Sequence, residues 1–157
     1  MPYKAIEVAN WFIDQFDRES GGLITHLKVQ KLLYFAEAWC QALLDRELFE
    51  ESMEAWAHGP VVREVFDVYR DYGWEPLTAS DEIIEFDSDV EDVLNQVLDV
   101  YGEVSAKTLE KMTHKDKPWL DARGDLGPEE RCTSILPKES IKTYFIEKYQ
   151  LFEDGEA

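Results

Sequence analysis

"HLKVQKLLYFAEAWCQALLD", residues 26–45, is the stretch that decides the fold. Val29, Leu32, Leu33, Ala36, Cys40, Leu43 and Leu44 recur at helical spacing on one face, and Phe35 and Trp39 widen the stripe. A helix this apolar belongs at the centre of a core. Thr25 is a good N-cap for it. Lys28, Gln30 and Lys31 fall in its first turns, where cations oppose the helix dipole. An acid of the chain or of a partner could offset them, but the plainer expectation is that water solvates them.

Working outward toward the N-terminus, Ile6, Ala9, Ile13 and Phe16 repeat at helical spacing over residues 4–17, with Val8 and Phe12 on the flank. The glycines of "ESGGL" (19–23) stop that helix. Toward the C-terminus, residues 48–59 lose the period and predict a short extended piece around Met53 to Ala57. In "EAWAHGPVVREVF" (54–66), Gly59 suits an N-cap and Pro60 the first position of a helix, where its missing N–H costs nothing. Val61, Val65, Val68 and Tyr72 continue that helix, with Phe66 and Tyr69 beside them, and Gly73 closes it.

"EIIEF" (82–86) reads as a weak strand or a loop. Ser88 and Glu91 then form a capping box ahead of a stripe of Val90, Val93, Leu94, Val97, Leu98 and Tyr101, closed by Gly102. Ser105 caps a short helix through Leu109 and Met112. Residues 113–130 read as a loop around a turn of helix at Trp119 to Arg123. "CTSILP" (132–137) is a possible short strand, and Pro137 starts a last helix that turns Ile141, Tyr144, Phe145 and Tyr149 inward. The expectation is a mainly α fold: a single compact domain of five or six helices over residues 1–152, at most a short two-stranded pairing, and a flexible tail at 153–157.

The 157 residues include five Trp, seven Tyr and eight Phe, enough apolar area for one core. The formal net charge of -18 repels a phosphate backbone and speeds encounter with basic partners. Solubility alone also accounts for such a charge. From Asp71 to Glu103 there is no Lys or Arg at all. Asp89, Glu91 and Asp92 suit the positive end of a helix, so helix stabilisation explains part of that acidity.

Cys40 and Cys132 imply no disulfide framework. The N-terminus lacks the features of a signal peptide, and no apolar stretch reaches the roughly 20 residues that span a bilayer. A cytoplasmic protein is expected.

Chemistry finds little foothold. His26, His58 and His114 have neither Cys-x-x-Cys company nor the one-turn spacing of metal ligands. They would have to converge in the fold to form a site. No nucleophile elbow occurs, and the glycines at 21 and 22 lack the lysine of a phosphate loop. Cys132 beside Arg131 is the one thiol with a cationic neighbour in sequence. Residues 90–113 superficially resemble a helix-turn-helix, but Lys107 and Lys111 share their helix with Glu110, and the preceding helix is acidic. No enzyme, no cofactor, no metal, no nucleic-acid partner and no membrane partner is expected. In "THKDKPW" (113–119), His114, Pro118 and Trp119 form a rigid aromatic element. It serves either an interface or, for Trp119, a plug beneath a loop.

"LKVQKLLYFAEAW", "EAWAHGPVVREVFDVYRDYG" and "VYGEVSAKTLEKMTHKDKPWLDAR" occur in that order, followed by "SILPKESIKTYF". Together they cover nearly the whole chain, and the ordered set QKLLYF, EAWxxGPV and THxxxPW is specific where each piece alone is weak. In these the chain resembles the SocA/GepA-like domain family, also called Panacea. The motif positions here are Gln30, Lys31, Tyr34, Trp39, Glu54, Trp56, Gly59, Pro60, Thr113 and Pro118. The resemblance implies a mostly helical antitoxin that neutralises a partner toxin by direct binding. A related type delivers its toxin to a cytoplasmic protease, and some relatives are phage-associated. Others add a DNA-binding domain, for which this chain is expected to have no room. On this view the motifs describe the scaffold, and toxin specificity is written elsewhere. Toxins that act on RNA, nucleotides or membranes favour basic surfaces, so the acidic stretch from Asp81 to Asp92 is the candidate contact. Asp81, Glu82, Glu85, Asp87, Asp89 and Asp92 are its members, with His114 and Trp119 as further candidates.

Overall fold

In a computed structural model the described residues are 2–19, 24–72, 77, 84–127 and 129–151. Among them the chain forms seven α-helices: α1 (Ala5–Glu19), α2 (His26–Leu44), α3 (Arg63–Tyr69), α4 (Ser88–Tyr101), α5 (Ala106–Thr113), α6 (Lys117–Arg123) and α7 (Lys138–Lys148). Three short strands, β1 (Met53–Trp56), β2 (Gly59–Val61) and β3 (Ile135–Leu136), pair antiparallel in the order β2-β1-β3. The fold is mainly α, with one helix and one strand more than expected. The added helix is α6, where Pro118 sits in the first turn and extends the anticipated turn into two.

Helix α2 is the axis of the molecule, with α1, α4, α5 and α7 packed around it. Val29, Leu32, Leu33, Tyr34, Phe35, Ala36, Ala38 and Cys40 are buried, so nearly every side of the helix faces protein. Phe35 stacks on Tyr101 of α4 with ring centroids 4.1 Å apart and meets Phe145 of α7 edge-on. From α1, Val8, Ala9, Phe12, Ile13 and Phe16 join the same core. Thr25 occupies the N-cap of α2, though its side chain makes no capping bond, and Asp45 closes the helix in the left-handed region at φ 56.

The opening of α3 differs from the sequence expectation. Gly59 and Pro60 do not start a helix; with Val61 they form β2, and α3 begins at Arg63 after Val62. Two facts explain this. Gly59 has φ +108, which neither an N-cap nor a helix uses. Pro60 pairs with Ala55 on an edge strand, where a missing N–H is tolerated. Val68 is exposed, and only Val65 and Tyr69 of α3 are buried.

The cap of α4 is also shifted. Asp87, not Ser88, is the N-cap, and its carboxylate accepts from the Val90 amide at 3.1 Å. Gly102 and Ser105 cap as read from the sequence; the Ser105 hydroxyl accepts from the Thr108 amide at 3.1 Å. Residues 84–86 belong to neither a helix nor a strand. The expected stops at Gly21, Gly22 and Gly73, the start of "EIIEF" and the 153–157 tail lie outside the described residues.

Candidate functional site

The β1–β2 hairpin is where Gln30, Lys31, Glu54, Trp56, Gly59, Pro60 and Thr113 of the motifs converge. Gln30 of α2 clamps Val62 from both sides: its amide oxygen accepts the Val62 N–H at 2.8 Å and its amide nitrogen donates to the Val62 carbonyl at 3.2 Å. Lys31, fully buried, donates to the Pro60 carbonyl at 3.1 Å. Both residues were expected in solvent; the structure corrects that. The apolar residues that surround them on all sides of α2 leave no wet face for them to occupy.

Gly59 explains its own identity here. A Cβ on it would lie 2.7 Å from Thr113 Oγ1 and 2.9 Å from Lys31 Cε. Strand β1 is held from its other side. The Trp119 indole donates to the Trp56 carbonyl at 2.8 Å, and Arg123 donates to the Ala55 carbonyl at 2.9 Å. Glu54 binds Arg63 through both carboxylate oxygens, at 2.9 and 3.0 Å, and accepts from the Trp56 indole at 2.8 Å. The Arg63 guanidinium holds the Glu54 carboxyl below its usual range.

Further along α2, Tyr34 donates to buried Asp116 at 2.8 Å, and Tyr144 and Lys148 of α7 reach the other oxygen of that carboxylate. The Trp39 indole donates to the Tyr101 hydroxyl at 3.0 Å. Pro118 is buried in the first turn of α6.

Burial pushes the Lys31 ammonium down to about 7, with Glu110 pulling the other way. It pushes His26 down to about 4, and Lys31 adds to that. His114 is likewise held below its ordinary value by burial against the pull of Glu110. His58 Nδ1 and His114 Nε2 lie 3.4 and 3.9 Å from the same Glu110 oxygen. Glu110 Oε1 and His114 Nε2 are buried without a hydrogen-bond partner. His26 stays apart from that pair, against Gln30. Among the described residues no group of three or more His, Cys, Asp or Glu is placed to hold a metal ion. No described helix is long and apolar enough to cross a membrane.

The expected contact residues that the structure describes stand in different settings. Asp81 and Glu82 lie outside the described residues. Glu85 is exposed ahead of α4, and Asp89 and Asp92 are exposed on it. Asp87 is exposed but engaged by the chain itself: it caps α4, accepts from Tyr3 at 3.0 Å and pairs with Arg46 at 3.0 Å. Trp119 is only 2% exposed and stacks under His114 at 4.2 Å, so it belongs to the hairpin's support.

Sequence reading missed the inward roles of Lys31, Gln30, Asp116 and Arg123. One signal was available for the first two: Val29 and Leu32 flank them directly, in a run with no polar stripe.

With the hairpin and its supports in place, the class of protein is legible: a helical domain in which Gln30, Lys31, Thr113, Trp119 and Arg123 knit β1–β2 to α2, α5 and α6. The chain belongs to the family described as antitoxin SocA-like, Panacea domain, whose model matches residues 29–120. That range contains Gln30, the hairpin and Trp119, while β3 and α7 lie beyond it. No curated protein and no solved structure matches the chain.

Proposed function

We propose that this protein is the antitoxin of a toxin–antitoxin pair and neutralises its toxin by direct protein–protein binding. Membership of the antitoxin SocA-like family over residues 29–120 carries the reading. The charge supports it: a net -18, with no Lys or Arg between Asp71 and Glu103, favours a toxin with a basic surface. The reading treats residues 1–152 as one domain followed by a short tail, and places the protein in the cytoplasm, without catalysis or cofactor. The acidic stretch from Asp81 to Asp92 is the proposed contact region, and nucleic acid and membrane are not partners.

Co-expression with the product of the adjacent gene tests this, read by growth and by co-purification. Rescue of growth with a stoichiometric, salt-sensitive complex is the expected result. Rescue with loss of the partner protein would instead make the chain an adaptor that hands its toxin to a cytoplasmic protease. A harmless neighbour that forms no complex would overturn the antitoxin reading for that pair.

A further inference from the structure

The outer seam between α2 and α4 holds a groove of about 250 Å³, lined by Trp39, Leu43, Val93, Val97, Val100 and Tyr101. Gln96 also lines it and is exposed, while the Trp39 indole donates to the Tyr101 hydroxyl. Beside that one amide the groove offers ring faces and aliphatic carbon. Leu43 and Val100 are among the exposed large apolar residues, Val100 at 62%, and exposed Tyr149 packs its ring 4.8 Å from Trp39 at one edge. Exposed apolar surface gathered beside a groove marks a binding site more than scattered residues do.

The α4 side of the rim is acidic. Asp92 and Asp99 lie two turns apart on α4, each one position from the groove-lining Val93 and Val100, Glu103 follows just past the helix end, and all three are exposed. Asp89 and Glu91 extend the acidic face to the helix start. Of the nearby cations, Arg46 pairs with Asp87 and Lys148 with Asp116, while Lys28 donates to the Gly102 carbonyl beside Glu103. A trough between two helices with an apolar floor receives the apolar face of a third helix. An acidic rim selects basic flanks on that helix. A second copy of this chain would bring another -18 charge to the same rim and be repelled.

We infer that the α2–α4 groove is the docking site for a basic amphipathic helix of the partner protein, with apolar anchors in the groove and Lys or Arg against Asp92, Asp99 and Glu103. The inference rests on the antitoxin reading for the identity of the partner, and on the groove alone for its chemistry.

The test uses the full chain and a synthetic amphipathic Lys/Leu peptide of roughly 18 residues, long enough to form a helix when bound. A scrambled isomer of the same composition serves as control. Calorimetric titration should give one patterned peptide per protein and at least about tenfold weaker binding of the scrambled isomer, the loss expected when one buried anchor is removed. Val100→Glu, at an exposed position, should cost a similar factor while leaving the melting temperature unchanged. The Trp39 indole N–H resonance should shift on binding. Asp92→Lys with Asp99→Lys should weaken binding and flatten its salt dependence. Equal binding of both isomers, or binding indifferent to Val100→Glu, would reduce the interaction to charge adherence and overturn the inference; so would no binding at low salt.

Growth rescue separates this inference from the antitoxin reading. Rescue that survives Val100→Glu and the double lysine variant removes the groove as the toxin site and leaves the antitoxin standing. Val100-dependent peptide binding without rescue by the wild type does the reverse.

Discussion

The hairpin and the α4 face treat charge in opposite ways. Around β1–β2, Gln30, Lys31, Trp119 and Arg123 are buried and spend their donors on backbone carbonyls of Val62, Pro60, Trp56 and Ala55. On α4, Asp89, Glu91, Asp92 and Asp99 are exposed, with no ion pair among the described residues. The matched family range includes both regions, yet the polar residues of the first are directed inward and those of the second outward. Residues that satisfy buried backbone groups tolerate little change, since each loss leaves a polar atom stranded. Exposed carboxylates carry no such obligation.

Breaking the hairpin should be costly. Arg123→Ala removes the Arg123 donor from the Ala55 and Glu130 carbonyls and one of two donors from that of Gly127, and should lower stability by roughly 2–4 kcal/mol in urea unfolding, since each buried acceptor left unmatched costs about 1–3 kcal/mol. Gly59→Ala combines left-handed backbone with contact against Thr113 and Lys31, and should cost roughly 2–4 kcal/mol. A loss below about 1 kcal/mol in both variants, no more than an ordinary substitution costs, would show that the hairpin is not the rigid element described.

Lys31 gives a pH signature. Its value in the folded protein is about 7, below the ordinary 10.5, so between those values the unfolded chain binds more protons than the folded one. Stability should therefore rise with pH through that window and be insensitive to this group below about pH 7. Relative to Lys31→Met, the wild type should gain roughly 2 kcal/mol between pH 7 and 9, at about 1.36 kcal/mol per unit. A parallel pH dependence of the two proteins would mean that Lys31 reaches water.

On α4 the expectation inverts. Asp89→Lys, Asp92→Lys and Asp99→Lys should each change stability by no more than about 0.5 kcal/mol, as exposed positions do. Together they should weaken toxin capture and its salt dependence. Asp87 is left out of that set because reversing it would remove a helix cap as well as a charge, and its capping role should appear as a loss of about 1 kcal/mol in Asp87→Ala. Full neutralisation by the triple lysine variant would remove the functional half of the contrast between the two regions.

Much of this was legible in the sequence. Periodicity located α1, α2, α4, α5 and α7, because an amphipathic helix writes its buried face locally. Gly102 and Ser105 announced helix ends for the same reason, and the Met53–Trp56 and Ile135–Leu136 strands fell where the helical period failed. The order of QKLLYF, EAWxxGPV and THxxxPW led to the family, and the cation-free run from Asp71 to Glu103 led to the acidic face.

Tertiary structure alone decided the rest. Gly-Pro is equally good punctuation for a helix start and for an edge strand; Lys31 and Thr113, distant in sequence, together with pairing to the neighbouring Ala55, settled it as a strand. Leu136 pairs with Met53 across a separation that no local pattern encodes. Lys31 and Gln30 looked soluble because polarity is a property of the residue, whereas burial is a property of what the chain folds around it. Here the hairpin backbone supplied the hydrogen-bond partners that water would otherwise have provided, and that exchange turned two polar residues of α2 into core.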